Sequence, residues 1–239
     1  MTSGGATAPA LALLAGGRAT RLRPIAQDIP KSMVEVAGEP FIAHQLRILG
    51  REGIARVVMC VGHLGDQIEA YVGDGGRFGV EVAYSWDGER LLGTGGALRK
   101  ALPLLGDSFW ILYGDSYLDV AFAPVLDAFR ASRRPALMTV LRNDDRWDRS
   151  NVEYANGVVE VYDKDRRTPG MTYVDFGLSL LRAEALASKP AGEPFELAGL
   201  FTDLARRGLL AGHEMGERFY EIGSPAGLAE TGRHLGKDA

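Results

Sequence analysis

The sequence predicts an α/β domain, with a mixed, mostly parallel sheet flanked by helices and a small β-rich insertion in its later part. Three observations predict it. Between Ala10 and Leu141, apolar runs suited to buried strands alternate with segments of helical period. The intervening helices are about ten residues long, the length that a crossover between parallel strands needs. Past Leu141 the rhythm shortens around Asn156-Gly157, a dipeptide that marks a tight hairpin.

Taken in order, Ala10 to Leu14 is a first apolar strand that runs into the turn Ala15-Gly16-Gly17. Pro40 to Gly53 is a helix, with Ile42, Leu46 and Leu49 at helical spacing and Gly53 suited to its C-terminal cap. Arg56 to Val61 is a second buried strand, Leu64 to Val72 a short helix and Val80 to Ser85 a third strand. Thr94 to Leu105 is helical, with Thr94 placed to cap it. Phe109 to Tyr113 is an apolar strand ending at Gly114-Asp115; a helix from Ala121 to Ala131 and a strand from Ala136 to Leu141 complete the alternation. Val152 to Tyr154 and Val158 to Val161 form a hairpin with a type I′ turn. Tyr173 to Leu181 is a further strand, and Phe195 to Arg207 and Pro225 to Leu235 are helices. Residues 1–239 read as a single domain without repeats or linker, and residues 1–9 as a flexible N-terminus.

Composition narrows the function. A net charge of -4 argues against general nucleic-acid binding, which needs a basic excess. No apolar stretch reaches the roughly 20 residues of a membrane helix. The single cysteine, Cys60, lies in an apolar run and reads as a buried structural thiol; with no secretory leader, it suits a cytoplasmic protein. Arg18, Arg21, Arg23 and Lys31 nevertheless cluster near the N-terminus against one acid, Asp28, which suggests an anionic ligand held at one place.

Two places beyond the carboxyl ends of strands carry chemistry. In Leu14-Ala15-Gly16-Gly17-Arg18-Ala19-Thr20-Arg21, adjacent glycines let backbone N–H groups approach phosphate oxygens. Arg21 offers a planar fork to outer phosphates and Lys31 a point charge near the reacting one. The spacing is neither a dinucleotide fingerprint nor a Walker loop. Asp115, an acid at the end of an apolar strand, is costly unless paired or bound to a cation, and Mg2+ takes one or two carboxylates with phosphate oxygens and water.

Leu14 to Pro24 with Pro30-Lys31 resembles the signature of the sugar nucleotidyltransferases, usually written L-A-G-G-x-G-T-R-L-x-P followed by P-K. The resemblance runs on through Gly38 to Ile42, Gly93 to Leu98, Tyr113-Gly114-Asp115 and Tyr220 to Pro225, so it covers nearly the whole chain, and the short chain resembles the compact bacterial enzymes for heptose, mannose and N-acetylmuramate 1-phosphates. It implies a Rossmann-like sheet of the nucleotide-diphospho-sugar transferase type, whose β-rich insertion binds the sugar. It implies transfer of a nucleotidyl group from an NTP to a sugar 1-phosphate with release of pyrophosphate and with Mg2+ as cofactor. Arg21, Lys31 and Asp115 become the catalytic residues, and Leu14, Ala15, Gly16, Gly17, Arg18, Thr20, Gly93, Thr94 and Gly95 the nucleotide site. Gly96, Asn151, Lys164, Asp175 and Glu196 become the sugar-phosphate site, and Asp115 with Glu221 the metal ligands. Four positions depart from the pattern: Ala19 for a glycine, Asp163 for Glu, Asp175 for Asn, and Glu221 for Asp.

The segment Gly93 to Leu98 leans towards GTP with a heptose or mannose 1-phosphate. Two alternatives stand beside this reading: a cytidylyltransferase for a phosphorylated alcohol such as choline phosphate, and a non-catalytic module that binds nucleotide sugars. Neither nucleic acid nor membrane is an expected partner, and a homodimer is compatible with the sequence.

Overall fold

A computed structural model describes residues 8–17, 22 and 27–236. The strands and helices, in chain order, are β1 (Ala10–Leu14), β2 (Glu35–Val36), β3 (Glu39–Pro40), α1 (Phe41–Arg51), β4 (Arg56–Val61), α2 (Gly65–Val72), β5 (Glu81–Trp86), α3 (Gly93–Leu105), β6 (Ser108–Tyr113) and β7 (Ser116–Tyr117). They continue with α4 (Ala123–Ser132), β8 (Ala136–Arg142), β9 (Val152–Ala155), β10 (Val158–Tyr162), β11 (Tyr173–Arg182), α5 (Glu184–Ala187), α6 (Leu197–Arg206), β12 (Leu210–Met215), β13 (Tyr220–Glu221) and α7 (Pro225–Leu235).

Nine strands form one sheet in the order β5-β4-β1-β6-β11-β8-β12-β10-β9. β5, β4, β1 and β6 run parallel, as the helical crossovers dictate. β11 enters antiparallel between β6 and β8, which makes the sheet mixed. The β9–β10 hairpin continues the far edge of the same sheet, and one further register pair, Tyr173 with Val152, links β9 back to β11. Asn156 (φ 50°) and Gly157 (φ 78°) both adopt the left-handed conformation that a type I′ turn demands.

Period-two alternation sorts each strand between two cores. Leu11 and Leu13 face α1, α2 and α4 on one side, packing with Ile42, Leu46, Ile68 and Val125. Ala12 faces the other side, with Leu98 and Ala101 of α3 and Phe201 of α6. A third cluster, which includes Val36, Phe41, Ile48, Ile222 and Leu235, seats β13 and α7 against the start of α1. α1 ends as its sequence suggests: Gly53 turns at φ 78° and the Ile54 amide donates to Leu49 O at 2.9 Å, closing a Schellman cap.

Two expectations need correction. Leu210–Met215 is a full strand, paired parallel with β8, although its sequence raised no strand signal; Gly212 is required there because a Cβ would stand 2.5 Å from the Tyr154 ring. α3 begins at Gly93, one residue before Thr94, and Thr94 caps a different helix, as described below.

Candidate active site

The carboxyl ends of β1, β4 and β6 open onto a cleft of about 650 Å3, lined among others by Leu14, Ala15, Gly16, Gly17, Lys31, Asp87, Thr94, Tyr113, Asp115 and Glu196. The chain crosses from β1 to β4 on one side and to β6 on the other, so the cleft lies where the strand order reverses. Its floor is tightly bound backbone: the Ala15 amide donates to Cys60 O (2.9 Å) and the Gly114 amide to Leu14 O (3.0 Å). A Cβ on Gly114 would stand 2.8 Å from Leu14 O, and one on Gly16 3.1 Å from the Gly62 nitrogen. Gly16 is thus fixed by close backbone packing, while Gly17 is exposed and open. Arg18, Thr20 and Arg21 lie outside the described residues, as does Ala19.

The charged centre comes from three separate stretches of chain. Pro30 starts a single 3-10 turn, Lys31–Met33, that turns Lys31 into the cleft. The Lys31 ammonium donates to Asp115 Oδ2 in a partly buried ion pair, side chains 19% and 26% exposed. Asp115 sits between β6 and β7, and β7 pairs with β13, placing Ser116 opposite Glu221. The Ile222 amide donates to the Asp115 carbonyl at 2.9 Å. A Cβ on Gly223 would stand 3.0 Å from Glu221 Oε1 and 3.3 Å from Lys31 Nζ, so all three charged groups share one corner. α7 secures Glu221 from behind: Ser224 Oγ caps the helix by accepting from the Gly227 amide (3.1 Å), and Thr231 Oγ1 donates to Glu221 O (3.0 Å). Two carboxylates beside a lysine and an open cleft suit a small hard cation that keeps ligands from phosphate and water. Among the described residues no larger cluster of His, Cys, Asp or Glu offers a metal cage.

The opposite wall is an interlock of two helix starts. Thr94 Oγ1 accepts from the Leu197 amide (2.8 Å), capping α6, and donates to Glu196 Oε2 (2.7 Å). Gly95 and Gly96 are buried, their amides donating to Phe195 O at 2.9 and 3.2 Å, and neither lines the cleft. Gly93 does line it, at φ 68°. The glycines of this segment therefore admit Phe195, whose ring would meet a Cβ on Gly95 at 2.2 Å.

The third side is built on Tyr113. Lys164 Nζ lies 5.5 Å from the centre of its ring. A bulge in β11 turns at Gly177 (φ 94°), close to Tyr113 and Ser116, and carries Asp175. Asp175 Oδ1 accepts from the Gly177 amide (3.0 Å) and Oδ2 from the Tyr162 hydroxyl (3.1 Å). Asn151 is committed to the scaffold, its Oδ1 accepting from the Asp175 amide at 3.0 Å. Burial, followed by the charges of Asp175, Asp115 and Glu196, holds the Tyr113 phenol well above its usual range.

Several site residues raised no flag in the sequence. Gln45, buried on α1, donates to Tyr113 O (3.0 Å) and Ser116 O (2.8 Å), clamping the turn that carries Asp115. Its signal was available: an amide among Phe41, Ile42, Leu46 and Leu49 on an otherwise apolar face. Asp87 lines the cleft nearly buried, accepts from the Leu92 amide (3.1 Å), and is raised above the usual carboxylate range by burial. Ser32 Oγ is buried in the same cleft without a hydrogen-bond partner among the described residues. Cys60 is buried as expected, its thiol pushed up to about 12, which rules out a thiolate nucleophile at neutral pH.

Comparison with known proteins agrees with this geometry. The nucleotidyl transferase family model matches residues 11–200. An N-acetylmuramate alpha-1-phosphate uridylyltransferase of Caulobacter vibrioides is 32% identical over 95% of this chain and 97% of its own length. A D-glycero-alpha-D-manno-heptose 1-phosphate guanylyltransferase of Campylobacter jejuni is 25% identical over 89% of this chain and 94% of its own. Other curated relatives are longer: the chain spans 55% of the UTP–glucose-1-phosphate uridylyltransferase of Synechocystis, at 29% identity over 82% of this chain. Among solved structures, HddC of Yersinia pseudotuberculosis complexed with GMP-PN superposes with a TM-score of 0.81, at 22% identity over 95% of this chain and all of that one, a likeness of fold. Family match, fold and cleft agree, and the chain belongs to the nucleotidyl transferase family.

Proposed function

We propose that this protein joins a nucleoside triphosphate to a sugar 1-phosphate and releases pyrophosphate, with GTP and a heptose or mannose 1-phosphate as the first pair to try. One observation carries the reading: Lys31, Asp115 and Glu221, distant in sequence, meet in one corner of a cleft entered past the Gly16-Gly17 turn. The heptose-phosphate guanylyltransferase relative, matched nearly end to end, supports this pair; the N-acetylmuramate uridylyltransferase relative, matched over as much of its length at higher identity, makes UTP with N-acetylmuramate 1-phosphate the second pair to try.

In the reaction, an oxygen of the sugar phosphate forms a bond to the α-phosphorus. The bond from that phosphorus to the bridging oxygen breaks, and pyrophosphate leaves with the electron pair. The nucleophile is already ionised near neutral pH, so no side chain need take a proton. The chain's task is positioning and charge compensation. Lys31 offsets charge on the reacting phosphates, Gly16 and Gly17 let the triphosphate approach the backbone, and Lys164 beside Tyr113 draws in the sugar phosphate. Mg2+, held by Asp115 and Glu221, would supply further neutralisation of the phosphate oxygens.

The test is pyrophosphate release from the purified protein with Mg2+, each of four triphosphates and a panel of sugar 1-phosphates. Lys31→Ala is expected to lose turnover by about 10^3-fold, the scale for removing a charge-stabilising donor. Near-native turnover in a folded Lys31→Ala protein would remove the assignment.

A further inference from the structure

We infer that Lys31 holds the metal's place at Asp115 in the free protein, so that a divalent cation settles there only once the lysine has moved to a phosphate. The inference rests on the reading of the cleft proposed above and adds how lysine and metal share one carboxylate.

The Lys31 ammonium donates to Asp115 Oδ2, an oxygen with which that carboxylate would bind a cation. Among the described residues no other cation lies within salt-bridge distance of Asp115. Lys31 Nζ and Glu221 Oε1 lie 3.3 and 3.0 Å from where a Cβ on Gly223 would stand. The ammonium therefore shares one corner with both carboxylates. A divalent ion bound to Asp115 and Glu221 would meet the ammonium at close range. Like charges at such a separation repel strongly wherever bulk water is partly excluded, and this ion pair is partly buried.

The backbone on the acid side is pinned. Gln45 Nε2 donates to Tyr113 O and Ser116 O on either side of Asp115, and the Ile222 amide donates to Asp115 O. Thr231 Oγ1 holds the Glu221 carbonyl in the same way. Lys31 is anchored through its main chain, where the Val34 amide donates to Lys31 O at 3.2 Å. Its ammonium rides on a flexible four-carbon stem with rotatable donors. The lysine is thus the group that yields. Phosphate oxygens of a triphosphate offer it a second seat, since Lys31 lines the same cleft as Gly16 and Gly17. By moving there it exchanges one anionic acceptor for another and bares Asp115. Metal and triphosphate then favour each other's binding, a coupling that is reciprocal by necessity.

Mn2+ alone, a paramagnetic stand-in for Mg2+, reads this competition without substrate or turnover. The EPR signal of free Mn2+ should show binding to Lys31→Met about tenfold tighter than to the unaltered protein, the lower end of what one neighbouring charge does to an ionic equilibrium. Lys31→Gln carries the same expectation and serves if the Met variant does not fold. Adding Asp115→Asn to either should abolish the gain. Saturating Mn2+ should also raise the thermal midpoint of the Lys31 variants more than that of the unaltered protein, because a ligand stabilises the state it binds. Equal Mn2+ affinity with and without Lys31 overturns the inference, as does a gain that survives Asp115→Asn. A protein that shows the competition but turns over no sugar 1-phosphate keeps the exchange of lysine for metal and loses the proposed reaction.

Discussion

A methyl group added at Gly17, in the turn after β1, would meet no described atom within 4 Å; one added at Gly95, at the start of α3, would stand 2.2 Å from Phe195 Cε2. The two stretches look alike as sequence, Ala15-Gly16-Gly17 against Gly93-Thr94-Gly95-Gly96, and both bound the same cleft. Only the first has a glycine, Gly17, with open space among the described residues where a side chain would stand. In the second, the missing side chains are filled by the protein itself: Phe195 takes the space over Gly95, and the Glu193 carbonyl lies 2.7 Å from where a Gly96 Cβ would be. A glycine-rich run near a ligand is thus not one kind of feature. Its role depends on whether solvent or chain occupies the vacated volume.

That contrast can be broken by substitution. The largest effect is expected at Gly95→Ala. Alanine gains about 1 kcal/mol of helix propensity over glycine, but a Cβ pressed on three atoms of the Phe195 ring costs up to about 3 kcal/mol as overpacking. The net loss should be about 2 kcal/mol, or roughly 4–8 °C in thermal midpoint for a chain of this size. Adding Phe195→Ala should recover part of that loss, giving a clear coupling between the two sites. If Gly95→Ala alone melts like the unaltered protein, the packing account of this wall is wrong.

A smaller effect is expected at Thr94→Val, which keeps shape and removes the hydroxyl. The Leu197 amide then loses its cap, and Glu196 Oε2 loses the hydroxyl donor and keeps the Thr94 amide at 3.4 Å. Loss of a cap costs about 1 kcal/mol. Because Thr94 joins two helix starts, hydrogen exchange should quicken at the first turn of α6, 103 residues away in sequence from its cause. Faster exchange confined to α3 would instead favour the local cap that the sequence suggested.

This wall also shows where sequence reading stops. The parallel half of the sheet was legible, because fully apolar runs such as Val57 to Val61 and Phe109 to Leu112 have few other uses. The type I′ turn at Asn156-Gly157 was legible because both residues must take positive φ. β12 was not, since Gly212, His213 and Glu214 break its apolar pattern and the strand is held by pairing with β8. At the site, Lys31 and Asp115 were named from their own chemistry and Glu221 from motif resemblance, but their meeting depends on the β7–β13 pairing, a contact across more than a hundred residues that no local pattern encodes. Gln45 and Phe195 escaped for a related reason: each acts by what it packs or clamps, visible only once its partner is in place.

The smallest stability effect, and the sharpest test of the contrast, belongs to Gly17→Ala. Gly17 is exposed, has no positive φ, and faces open space among the described residues. A surface substitution without a packing or backbone penalty stays within about 0.5 kcal/mol, so its thermal midpoint should barely move. The added methyl nevertheless lies where a triphosphate must approach the backbone, because Leu14 to Gly17 line the cleft above Lys31 and Asp115. KM for the triphosphate should rise by about tenfold, a cost of about 1.4 kcal/mol in binding, with KM for the sugar 1-phosphate little changed. Gly95→Ala should show the reverse proportion, losing stability more than triphosphate affinity. A Gly17→Ala protein that melts early with unaltered KM would mean that both glycine runs serve packing, and that the triphosphate is held elsewhere.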